Sequence, residues 1–146
     1  MATWWYVAFG LVAGAILPVQ AGINAHLASF VGSPIRAALI SFAVGTIALL
    51  VLTLAIARGW SSNVGAAPWW VWLGGVIGAF YVAGVIVVAP KVGALTLVLV
   101  LLAGQTAASL AIDQFGWVGY PEHPITSGRI AGIAFVAVGV VLVRLY

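Results

Sequence analysis

Gln105, Ser109 and Asp113 recur at every fourth residue in an otherwise apolar stretch. In an α-helix that spacing stacks three hydrogen-bonding side chains in a single row on one face. Gln20 and Asn24 repeat the spacing just beyond Pro18, whose ring removes a backbone N–H and frees the carbonyl of Gly14, so a bend is expected there. Tyr81 and Thr46 lie near the middles of two further apolar stretches. Amides and hydroxyls of this kind donate and accept hydrogen bonds, and without a neighbouring base the hydroxyls are poor nucleophiles. Gln20, Asn24, Thr46, Tyr81, Gln105 and Ser109 are therefore candidate substrate-binding residues. The same groups also suit packing, because a hydrogen bond between membrane helices contributes roughly 0.6–2 kcal/mol.

Other chemistries find little support. The chain has no cysteine, and its two acidic residues and two histidines offer no cluster of three metal ligands. No nucleophile has a neighbouring base, so neither an enzyme, a metal site nor a cofactor is expected. His26 reads as an interfacial residue, and Glu122 and His123 as solvated loop residues. A pI near 9.8 arises from basic residues spread along the chain, which is no nucleic-acid signal.

The elements that must position these side chains follow from composition. With 65% hydrophobic and 5% charged residues, and soluble proteins near 25% charged, a water-soluble domain is excluded. The pattern predicts an all-α, polytopic membrane protein with a single transmembrane domain over 1–146. Five helices are expected, at about 4–28, 34–57, 69–88, 94–115 and 126–146, each long enough to cross roughly 30 Å of hydrocarbon. Ser33-Pro34 is a cap followed by proline at the first helical position. Pro90-Lys91-Val92-Gly93 reads as a tight turn, residues 59–65 as a surface loop, and 116–125 as the longest loop. Asp113 and Arg129 flank that loop and are placed to pair across it. Met1-Ala2-Thr3-Trp4 lacks the positive region of a cleaved signal peptide, so the first span is expected to be permanent.

Orientation is the unusual feature. With the N-terminus on side A, Arg58, Arg129 and the terminal amine fall on side A, against Arg36, Lys91 and Arg144 on side B. Loop Lys and Arg bias sets insertion orientation, and here the sides tie. All seven tryptophans also fall on side A, whereas aromatic belts normally line both interfaces. Two copies inserted oppositely would restore the balance. Gly128, Gly132 and Gly139 give the last helix a small-residue face suited to packing, including dimer packing.

Four segments carry a family likeness: Pro18-Val19-Gln20-Ala21-Gly22-Ile23-Asn24; Ser41-Phe42-Ala43-Val44-Gly45-Thr46; Gly74-Gly75-Val76-Ile77-Gly78-Ala79-Phe80-Tyr81-Val82; and Ala103-Gly104-Gln105 with Ser109 and Asp113-Gln114-Phe115-Gly116. Across essentially the whole chain the sequence resembles the YdcZ family. That family is a five-helix, half-length branch of the drug/metabolite transporter superfamily, related to ten-helix EamA-type exporters and small multidrug resistance proteins. The resemblance implies a small-molecule transporter assembled from two half-units. The small multidrug resistance proteins carry a buried glutamate on their first helix, where this sequence has Gln20 and Asn24, so the resemblance does not extend to proton-coupled export of cations by that route.

The expected protein is thus an inner-membrane, multi-pass transporter, inserted in both orientations and forming an antiparallel homodimer of ten helices. Its undefined, polar substrate would bind at the subunit interface and move by alternating access. The alternatives are a non-transporting assembly or partner subunit, and half of an obligate heteromeric transporter.

Overall fold

The computed structural model describes residues 2–56, 59 and 63–146, with the side chains of 2 and 3 left aside. Arg58 and Trp60, two of the side A residues counted above, lie outside the described residues. Five α-helices follow one another: α1 (Ala2–Val31), α2 (Pro34–Ile56), α3 (Leu73–Val92), α4 (Ala94–Phe115) and α5 (Ser127–Leu145). Short 3₁₀ turns occupy Val64–Ala66, Trp69–Trp72 and Trp117–Gly119, and the described residues contain no strand.

Most of the expected limits hold, and the departures have local causes. The first helix runs to Val31, where Gly32, at φ +70°, ends it in the left-handed conformation that glycine adopts without penalty. Pro18 lies inside α1, which is helical on both sides of it. Ser33 caps α2 as expected: the Arg36 N–H donates to its Oγ at 3.4 Å. Trp69, expected to open the third α-helix, lies in a 3₁₀ turn, and the α-helix starts at Leu73.

The tight turn expected over Pro90–Gly93 is smaller than read. α3 continues through Pro90 to Val92, and Gly93 alone, at φ +81°, separates it from α4. A proline in the last turn forgoes a single backbone bond, and Lys91 beside it complements the negative end of the helix dipole. Thr126 caps α5 from just outside it, its Oγ1 accepting from the Arg129 N–H at 3.3 Å.

The chain divides into two compact units, Met1–Lys91 and Val92–Tyr146. In the first, Ala37, Ala38 and Ile86 form a small core against Leu27, Ala28, Val31, Val82 and Ala83, so α1, α2 and α3 meet near their side B ends. Alanines at the crossing let backbones approach closely, which suits helix packing in lipid. In the second unit α4 packs along α5.

All five spans have the length and hydropathy of membrane helices, and at most 6% of any of their windows is buried inside the chain. Phe80 is 83% exposed, Leu54 78% and Phe135 77%. Surface this apolar is incompatible with water and matches a surrounding of lipid and neighbouring helices.

Candidate functional site

The row predicted on the fourth helix takes up a defined place. Gln105, Ser109 and Asp113 line one groove of about 490 Å³, whose opposite wall is Arg129, Gly132 and Ile133 of α5. That volume lies within the range of roughly 300–1,000 Å³ usual for small-molecule sites. Gln105 and Ser109 make no side-chain hydrogen bond among the described residues, so their donors and acceptors are available. Thr106, also in the wall, is already satisfied: its hydroxyl donates back to the carbonyls of Leu102 at 2.8 Å and Ala103 at 3.0 Å.

The side A end of this groove is charged and balanced. The Arg129 Nη1 donates to Asp113 Oδ2 at 3.2 Å and to the His123 carbonyl at 3.2 Å. The loop returns over the end of α4 in the same sense: the His123 N–H donates to the Asp113 carbonyl at 2.7 Å, and the Ile125 N–H to Gln114 Oε1 at 2.7 Å. These bonds occupy carbonyl and side-chain acceptors that a helix C-terminus otherwise leaves unpaired. Gly116, at φ +60°, makes the turn possible. The pairing expected across the loop is present, and it forms part of the groove wall as well as bracing the loop.

A second groove, of about 360 Å³, lies in the first unit between α1 and α2. It brings together Gln20 and Asn24, as their spacing predicts, and adds Ser41 from α2, which no spacing in the sequence singles out. The rest of its wall is aliphatic, including Ile23, Leu27, Ile40 and Val44.

Thr46 and Tyr81 line neither groove. The Thr46 hydroxyl donates to its own helix, at the Phe42 carbonyl, 2.8 Å away. Tyr81 is half-buried on α3 and makes no side-chain hydrogen bond among the described residues. Of the glycines on α5, Gly132 is in the groove wall, and a Cβ built there or at Gly139 would meet nothing within 4 Å; at Gly128 the nearest atom is Thr126 Oγ1 at 4.0 Å. Among the described residues no group of three His, Cys, Asp or Glu gathers to hold a metal.

Five apolar helices that leave most of their surface to lipid, with a few polar side chains in grooves between α1 and α2 and between α4 and α5, define a multi-pass membrane protein of the inner membrane. Residues 5–142 match the family model described as "Putative inner membrane exporter, YdcZ". The chain is also 31% identical over 140 residues to the inner membrane protein YdcZ of Escherichia coli (strain K12), covering 94% of this chain and 93% of that one. It belongs to the YdcZ family. No solved structure matches it.

Proposed function

We propose that the chain is a small-molecule exporter of the drug/metabolite transporter type, working by alternating access as an antiparallel homodimer. One observation carries the reading: Gln105 and Ser109, well inside a membrane helix, face a groove with no hydrogen-bond partner among the described residues. An amide held in hydrocarbon without a partner costs several kcal/mol, so it must meet water, a ligand or another subunit. A polar path for substrate meets that demand, and the family's description as an exporter agrees with it.

The substrate-binding set is Gln20, Asn24, Gln105 and Ser109, with Tyr81 and Thr46 contributing where a partner copy or a moving helix brings them to the substrate. Two copies in opposite orientation supply each element twice, once facing each side. Their two end states are then related by symmetry and equal in energy, which suits alternating access. The tie in basic residues supports this arrangement. No carboxylate stands free in the α4–α5 groove, because Asp113 is engaged by Arg129. The substrate is accordingly polar and uncharged or anionic.

The test is flux through proteoliposomes containing purified protein, screened against labelled neutral and anionic metabolites. Gln105→Ala and Ser109→Ala should each abolish or strongly reduce a flux that the wild type supports, with the dimer intact by chemical cross-linking. Dissociation of the dimer by Gln105→Ala, with no flux found for any form, would instead establish a structural partner subunit.

A further inference from the structure

The α1–α2 groove differs from the α4–α5 groove in having no ionisable side chain in its wall. Neither acidic residue of the chain lies within Met1–Lys91, so the unit that contains it has no carboxylate to meet a cation. Among its described basic residues, Arg36 is committed to the turn after α1, where Nη1 donates to the Val31 carbonyl at 3.3 Å. Lys91 stands in the last turn of α3.

What the groove does hold is Asn24. This residue is 5% exposed, and its carboxamide makes no hydrogen bond among the described residues. Among the described residues no unpaired polar atom of a buried side chain is sealed off completely, so the amide keeps its remaining access at the groove it lines. Burying an amide unpaired is costly, and in a membrane no water is at hand to repay it. Gln20 lies one turn earlier on the same wall, and Ser41 stands across from them on α2. Two carboxamides on one wall and a hydroxyl on the other present donors and acceptors to the groove, and the aliphatic remainder of the wall suits an apolar body.

We infer that the α1–α2 groove binds an uncharged molecule with an apolar body and an amide-like hydrogen-bonding edge, held by Asn24, Gln20 and Ser41. The inference rests on the transporter reading for its biological meaning, and it names the substrate class that this half of the binding set selects. A charged ligand would give up its hydration with no countercharge in return.

Three isosteric probes test it: 2-naphthamide (neutral), 2-naphthoate (anion) and 2-naphthamidine (cation), by equilibrium dialysis against protein in nanodiscs, with empty nanodiscs as the blank. 2-Naphthamide should bind saturably. The charged isosteres should bind at least about 100-fold more weakly. Asn24→Leu, which keeps volume and removes the amide, and Ser41→Ala should each weaken the neutral probe about fivefold or more. Should Asn24→Leu fail to fold by circular dichroism, Gln20→Leu and Ser41→Ala decide the matter. Absence of saturable binding, equal binding of the three probes, or indifference to the folded variants would overturn the site. Uptake of 2-naphthamide into proteoliposomes separates the two readings. Variant-sensitive binding without flux supports the site and removes the transport reading, whereas flux with binding untouched by these variants removes the site alone.

Discussion

Arg129 Nη1 lies 3.2 Å from Asp113 Oδ2 and 3.2 Å from the His123 carbonyl, joining the start of α5, the end of α4 and the loop between them through one guanidinium nitrogen. The side chains are 37% and 29% exposed, so the pair is neither fully hydrated nor sealed. A double-mutant cycle with Arg129→Gln and Asp113→Asn, read by thermal unfolding in detergent, should give a coupling of about 0.5–1 kcal/mol that shrinks as salt is raised. A coupling indistinguishable from zero at low salt would mean the contact contributes nothing.

The same loop depends on Gly116. Its φ is +60°, and an added Cβ would stand 2.8 Å from Glu122 Cγ and 3.3 Å from the Tyr120 carbonyl oxygen. Gly116→Ala should destabilise by roughly 1–3 kcal/mol, combining the left-handed backbone penalty with the clash. Glu122→Ala in the same chain should recover only part of the loss, because the Tyr120 contact and the backbone strain remain. Full recovery would assign the whole effect to the glutamate.

Thr126 is a cap whose loss can be read directly. Thr126→Ala removes the acceptor for the Arg129 N–H and should cost about 1 kcal/mol. Thr126→Ser should restore most of it, measured by the same unfolding curves.

Gly132 offers a steric test of the α4–α5 groove. A Cβ there meets nothing within 4 Å, so Gly132→Val should fold with near-normal stability while filling the groove beside Gln105 and Ser109. Flux should fall by an order of magnitude or more. Gly139→Val, on the same helix and outside the groove wall, should leave flux per cross-linked dimer near the wild-type value, so that any fall in total flux follows the dimer fraction. Unaltered flux in Gly132→Val would exclude this groove from the path.

Orientation is open to direct measurement because the chain has no native cysteine. Ala66→Cys on side A and Ala94→Cys on side B, both at exposed positions, should each react about half with an impermeant maleimide on intact cells. Adding one lysine by Asn63→Lys should tip the tie and convert half-labelling into labelling from one side. Full reaction at one cysteine and silence at the other, in the unaltered background, would end the dual-orientation model.

Five spans, their all-helical character and the shared face of Gln105, Ser109 and Asp113 were legible in the sequence because each follows from local rules. Apolar length sets a membrane helix, since hydrocarbon satisfies no backbone group, and a four-residue period sets a common face. The Ser33-Pro34 start was legible for the same reason, as was the chance for Asp113 to meet Arg129. Where local signals compete, reading was less accurate: Pro90 suggested a break, yet a proline in a final turn forfeits too little to end α3 before Val92.

What the opposite wall of each groove is made of was decided only by the tertiary structure. Thr46 and Ser41 lie on one helix, and nothing in their types distinguishes them. Thr46 spends its hydroxyl on the Phe42 carbonyl, whereas Ser41 joins Asn24 and Gln20 across α1 and α2. Tyr81 carries an available phenol but lines neither groove. These outcomes depend on how two helices rotate and approach, which is settled by small residues such as Ala37 and Ala38 at their crossing. Periodicity determines which side chains share a face; only packing determines what that face meets.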